Sequence, residues 1–240
     1  MAKINANDLQ NQVDQAEELR EKHGRVDEAM HNLDCIIALS EQLQWLWVLR
    51  NALAQRIVCN KHFFRLRGGE TYLHAMLDDC LHGLTLQVTP SQKAVFHFRS
   101  AEVYTLSGNL SVAADDYRLA LEIVEKDSRE HAEILSSQAE FLAGVGKVED
   151  AARAFQKALL IFDQLRGSMP EDHWYTLRAG LYARLAKVAV SQGDLPFGVS
   201  CLMHAFRIAF WMLLRWGNRQ RLVLLCHELW AELDKRLRRR

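Results

Sequence analysis

Along most of the chain, apolar residues recur at intervals of three and four. Ala113, Tyr117, Ala120 and Leu121 fall on one face of a helix at that spacing, as do Ala151, Phe155, Ala158 and Leu159, while the positions between them point to solvent and vary. The same rhythm appears near the N-terminus in Ala29, Leu33, Ile36 and Ile37, and near the C-terminus in Leu202, Ala205 and Phe206. The pattern predicts an all-α chain. Scarcity of helix breakers agrees with it: 240 residues contain 12 glycines and three prolines.

The helical faces repeat. With Gly108 in register with Gly146, thirty-eight residues apart, Ala113, Tyr117, Ala120 and Leu121 fall on Ala151, Phe155, Ala158 and Leu159, and an alanine stands seven residues before each glycine (Ala101, Ala139). The same ruler finds Gly24 and Ala29 at one end, and Ala186, Gly193, Gly198 and Ala205 at the other. Each feature has a mechanical reason. Glycine lets the chain take a positive φ between two helices. The small residues let antiparallel helices approach, and the ring fills the gap towards the next unit. Repeats are predicted at about 8–42, 92–126, 130–165 and 175–213, with residues 166–174 as a loop. The turn glycines are separated by 84, 38 and 47 residues, and the first gap asks for a further, degenerate unit at 43–86. Its helices are expected near residues 43–59 and 70–86, with a longer loop through 63–69. Residues 218–238 read as a capping helix. Leu222, Leu225, Leu229 and Leu233 form its apolar stripe, and Arg219, Arg221, Glu228, Asp234 and Lys235 its polar face. One domain over 1–240 is expected.

This template resembles the tetratricopeptide repeat (TPR) family, in the longer variants of about 40 residues found in bacterial regulators and kinesin light chains. The likeness is strongest over 94–165; the family's Trp and Leu-Gly near the start of the first helix, and its closing Pro, are absent. The resemblance implies a right-handed α-solenoid of about five helix–turn–helix repeats. The first helix of each pair would line a concave groove through Phe98, Glu102 and Thr105, then Glu133, Ser136 and Glu140, then Ala183 and Lys187, with Asp14, Glu18 and Glu21 at the corresponding place in the first unit. Mostly acidic or apolar, these positions do not match the basic clamp that grips acidic chaperone C-termini. They point instead to a protein or peptide partner that is basic or amphipathic.

Thirty basic residues balance 30 acidic ones, which argues against bulk binding to nucleic acid or anionic membrane. The polar N-terminus has no apolar signal core. The most apolar run, 205–216, is broken by Arg207 and Arg215 and is read as no membrane span. Five scattered cysteines (Cys35, Cys59, Cys80, Cys201, Cys226) read as free, mostly buried thiols, so a cytoplasmic location is expected. Phosphate-binding glycine loops, HExxH, nucleophile elbows and CxxC pairs do not occur. His31 with Cys35, His74 with Cys80 and His82, and Cys226 with His227 and Glu228 are the most metal-like fragments, and each falls short of a ligand set. No cofactor or metal is expected. Trp45 and Trp47, with Phe63 and Phe64 nearby, suggest either a ligand platform or, preferably, a helix buried on most of its surface. The terminal RLRRR reads as a solvated helix end. The resulting expectation is a non-catalytic interaction adaptor. The alternatives are a sensor whose superhelix changes on binding a peptide or small ligand, self-association through residues such as Trp211 and Trp216, and an enzyme hidden among His62, His74, Asp78, Asp79 and Cys80.

Overall fold

The computed structural model describes residues 5–87 and 89–217, together with Cys226. All described secondary structure is helical, and the helices come in antiparallel pairs. The chain divides into two compact units, residues 1–125 and 126–240, at the segment between the third and fourth pairs. The first unit holds three hairpins: α1 (Ala6–His23) with α2 (Val26–Gln42), α3 (Leu46–Arg67) with α4 (Glu70–Thr85), and α5 (Pro90–Ser107) with α6 (Leu110–Ile123). Among its described residues the second holds two: α7 (Arg129–Gly144) with α8 (Val148–Gln164), and α9 (Glu171–Ser191) with α10 (Leu195–Trp216). The predicted capping helix, 218–238, lies outside the described residues apart from Cys226.

Local chemistry sets the boundaries. Asn5 and Asp8 form a reciprocal capping box at the start of α1, and Thr89 with Gln92 does the same for α5, where Pro90 fixes the first helical φ. Ser128 Oγ accepts the His131 N–H to open α7, and Asp194 accepts from Phe197 N to open α10. The predicted turn glycines Gly24, Gly108, Gly146 and Gly193 adopt φ of 66°, 82°, 84° and 86°. Beside those turns Ala29, Ala101, Ala113, Ala120, Ala139, Ala151, Ala158, Ala186 and Ala205 are buried, as are Tyr117 and Phe155.

Two expected loops are shorter than the sequence suggested. The degenerate unit 43–86 is a full hairpin, because α3 runs on to Arg67 and only Gly68 and Gly69 separate it from α4. Phe63, expected in a loop, is a buried helical residue whose ring lies 5.7 Å from that of Tyr72 across the hairpin. Likewise α9 begins immediately after Pro170, so the end of the expected loop 166–174 is helical, and buried Trp174 donates its indole N–H to the Phe162 carbonyl of α8 at 2.7 Å. In both places an aromatic side chain with a packing partner extends the helix beyond what turn residues alone indicate.

Helices also approach closely between hairpins. In the first unit, a Cβ at Gly83 on α4 would stand 2.2 Å from the fully buried Phe96 ring of α5, so only a bare backbone fits there. Gly198, at the register position of Ala113 and Ala151, plays the same part inside the last hairpin, where a Cβ would meet Val190 at 2.5 Å.

Candidate interaction surfaces

The first helices of the hairpins are tied to one another by polar side chains about one repeat apart. Between α1 and α3, Asn51 donates to Gln10 Oε1 (2.7 Å), Gln55 donates to Glu17 Oε2 (2.9 Å), and the buried Arg20 donates to Gln55 Oε1 (2.6 Å) while also gripping Glu21. Between α3 and α5, Lys61 Nζ lies 2.5 Å from Glu102 Oε1, and Arg99 Nη1 holds the other oxygen of that carboxylate at 2.9 Å. The second helices are tied in by Arg56 of α3, which bonds both oxygens of buried Asp79 on α4 and also Asp34 on α2. The bidentate bond to Asp79 holds the guanidinium above its ordinary value.

The second unit repeats the scheme. Arg184 on α9 donates to Ser136 and Ser137 on α7, both at 2.9 Å, and Lys187 on α9 forms a short ion pair with Glu140 on α7. Glu133 accepts from Arg129 at 2.8 Å on the same helix.

These contacts change the picture of the predicted groove. Phe98, Glu102 and Ser136 are buried, and Thr105 spends its hydroxyl on the Ala101 carbonyl at 2.7 Å. Ala183 and Glu140 are half-buried and Lys187 is exposed. The acidic cast read from Glu102 and Glu140 is offset by Lys61, Arg99, Arg184 and Lys187, which the sequence reading left out of account except for Lys187. Asp14 and Glu18 remain exposed on α1, where Glu18 bonds Lys22.

Two surfaces stand apart from this internal matching among the described residues. The first is α10. Val199, Met203, Phe210 and Leu214 are 55, 64, 54 and 69% exposed and share one side of the helix with half-buried Phe206 and Leu213. In the first hairpin the same register positions are Met30, Asp34, Ile37 and Glu41, and there Ile37 is buried and Asp34 bonds Arg56 of the next hairpin. In the fourth they include Asp163, which pairs with Arg178 of α9 at 2.7 Å. Among the described residues, α10 therefore presents, exposed and apolar, the side that the first and fourth hairpins turn to their successor. The sequence reading weighed only the run 205–216; over its full extent, Leu195–Trp216, α10 is by length and composition apolar enough to cross a bilayer. The second surface is a recess of about 380 Å³ where α2 leads into α3, lined by Gln44, Trp45, Leu46, Trp47, Arg50, Gln87 and Gln92. Trp47 is 42% exposed, so the start of α3 is not the buried segment that was preferred from the sequence.

The remaining candidates for chemistry are spread apart. Cys80 is buried, with its thiol pushed up by burial, and Asp79 is locked to Arg56, whereas His74 and Asp78 on the same helix are exposed. Cys59 and Cys201 are buried, Cys35 and Cys226 exposed, and all five are free. Among the described residues no group of three His, Cys, Asp or Glu side chains could hold a metal ion.

Neither a protein-family model nor a curated protein sequence matches the chain. Solved structures do. A putative kinesin light chain from Podosopora anserina, with nearly identical TPR-like repeats, aligns at 13% identity over 83% of this chain and 94% of that one, with a TM-score of 0.49. A variant structure of that protein aligns at 13% identity over 83% and 93%, with a TM-score of 0.50. BtubC (BKLC) from P. vanneervenii aligns at 20% identity over 98% and 91%, with a TM-score of 0.49. The chain has the TPR-like repeat fold.

Proposed function

We propose that this chain is a non-catalytic interaction scaffold that holds an amphipathic segment of another protein. The observation that carries the reading is the uncovered face of α10, Val199, Met203, Phe206, Phe210 and Leu214, set against first-helix faces whose charges are already paired. Binding energy is to be had where apolar surface is still in water, about 25 cal/mol per Å² removed. An incoming helix with apolar residues at three- and four-residue spacing matches this stripe. Glu133, Glu140 and Lys187 supply charged positions and Ala183 an apolar one on the first helices of the same unit, and their mixed character favours an amphipathic partner over a strongly basic one. A membrane span fits α10 less well. Arg207 stands exposed at mid-helix, where bilayer insertion costs about 2.5–3.5 kcal/mol.

A second reading concerns the same face. Gly217 ends α10 in the left-handed region, and the apolar stripe read from the sequence at Leu222, Leu225, Leu229 and Leu233, in the expected capping helix 218–238, is a candidate occupant of that face. In that case the chain caps itself, and a partner is held elsewhere.

The test is capture of partners by the full-length chain, compared with Met203→Glu/Phe210→Glu and with Leu225→Glu/Leu229→Glu. Loss of a partner from the first variant alone, with both variants melting like wild type, supports docking on α10. A matched fall in melting temperature in the two variants, with partners retained, supports the self-capping reading.

A further inference from the structure

Among the described arginines that are at least half-buried, Arg20, Arg56, Arg99, Arg178 and Arg184 each face a carboxylate. Arg50 faces none among the described residues. Its Nε and Nη2 donate to the neutral Oδ1 of Asn51 at 3.0 and 2.7 Å, and Asn51 in turn donates to Gln10. That relay fixes the guanidinium without neutralising it, and burial draws its pKa down with no opposing carboxylate. Arg50 lines the recess where α2 leads into α3. The rest of the lining is complementary in kind. Trp45, Leu46 and Trp47 offer apolar surface, with Leu46 38% and Trp47 42% exposed, and Gln44, Gln87 and Gln92 offer amides. Gln92 uses its Oε1 to accept the Thr89 N–H, which leaves its amide nitrogen as a donor. Gln44 is held at φ 55°, a left-handed conformation unusual for a residue with a side chain.

A guanidinium that lacks a counter-charge, an aromatic and aliphatic wall, and several amides are what a carboxylate beside an apolar side chain would need. An inorganic anion would leave the tryptophans unused, and a purely apolar ligand would leave Arg50 unmatched. We propose that this recess binds a peptide carboxylate flanked by an apolar residue, with Arg50 taking the carboxylate and Trp47 and Trp45 the apolar side chain. The inference rests on the scaffold reading for its class of ligand, and it concerns a surface separate from α10. A C-terminal carboxylate and a glutamate or aspartate side chain share this chemistry.

The test uses three probes against the full-length, ¹⁵N-labelled chain: acetyl-leucyl-leucine as the free acid, the same dipeptide as its amide, and acetyl-leucyl-glutamyl-leucine amide. The readout is the indole N–H signals of the six tryptophans, with those of Trp45 and Trp47 assigned through Trp45→Phe and Trp47→Phe. At least one carboxylate-bearing probe is expected to shift both signals saturably while the dipeptide amide does not. The probe that binds identifies a terminal or a side-chain carboxylate as the ligand. Arg50→Gln, with an unchanged circular dichroism spectrum, is expected to weaken that binding at least tenfold. Three results would overturn the proposal: no shift with either acid, equal shifts with acid and amide, or equal binding by Arg50→Gln. Because partner capture through α10 is read with different variants, either proposal can fail while the other stands.

Discussion

Glu102 offers the sharpest test of the view that the first-helix faces are internal joints. Its side chain is 7% exposed, and its two oxygens are taken by Lys61 at 2.5 Å and Arg99 at 2.9 Å, side chains that are themselves 12% and 17% exposed. Glu102→Ala takes from two cations in a confined site the carboxylate that both grip, and breaking such a pair costs about 3–5 kcal/mol. Glu102→Gln keeps the shape and one acceptor but removes the charge, so about 1–3 kcal/mol is expected. Replacing the whole triad (Lys61→Met, Arg99→Met, Glu102→Met) removes the stranded charges and should recover most of the loss. Urea unfolding followed by circular dichroism measures all three, with equal m-values confirming that the same unit unfolds. If Glu102→Ala costs less than about 1 kcal/mol, the value of an ion pair in water, then the triad is solvated and Glu102 is a surface group after all. Charge reversal at Glu102 is accordingly a test of folding before it is a test of binding.

Three further outcomes follow from the packing and the caps. Gly83→Ala places a methyl group 2.2 Å from the Phe96 ring, which is fully buried and has nowhere to swing; thermal melts should show a loss of about 1–3 kcal/mol or more, partly restored by Phe96→Leu. Gly146→Val forces a β-branched residue to φ 84° and Ala151→Phe overpacks a site that is 1% exposed, so each should lower stability by about 1–3 kcal/mol; melting like wild type in both would discredit the repeat register. His131 is 2% exposed, and its Nδ1 accepts the Asp127 N–H at 2.9 Å. Burial, then Lys157 and Lys126, hold the imidazole below its ordinary value against the pull of Asp127. The unfolded chain therefore takes up the proton first as pH falls, and stability is lost below about pH 6.5 until the folded imidazole also protonates. His131→Gln, which keeps an acceptor for Asp127, should flatten the decline of the urea midpoint between about pH 7 and 5; an unchanged slope would assign the pH dependence elsewhere.

The hairpins were legible because their signals are local. A glycine at positive φ, an alanine five residues on and a ring four residues after that are all demanded by the contact of two adjacent helices, and Gly108, Ala113 and Tyr117 show the whole set. The extent of α3 and the start of α9 were less legible, since Phe63 and Trp174 extend those helices by packing onto residues nine and twelve positions away, across a turn. The division at 125/126 has no local mark either, for the repeat ruler runs through it unchanged.

The internal partners of the predicted groove residues were not legible for a related reason: no single position shows what stands one repeat away. The partners of the first-helix polar residues lie about one repeat away, at separations of 41 for Gln10 with Asn51 and for Lys61 with Glu102, 38 for Glu17 with Gln55, and 47 for Glu140 with Lys187. In a stacked array the neighbour of a first-helix side chain is the equivalent side chain of the next hairpin, so a carboxylate at one register position calls for a donor one period along. That rule sorts the surface. Polar residues with a complement one repeat away are joints, and those without one are available to a ligand. Glu102, Glu140 and Gln55 fall in the first class. Arg50 meets only a neutral amide in its own helix, and the apolar stripe of α10 meets no following hairpin among the described residues. Recognition is proposed on these two surfaces because each breaks the pairing rule.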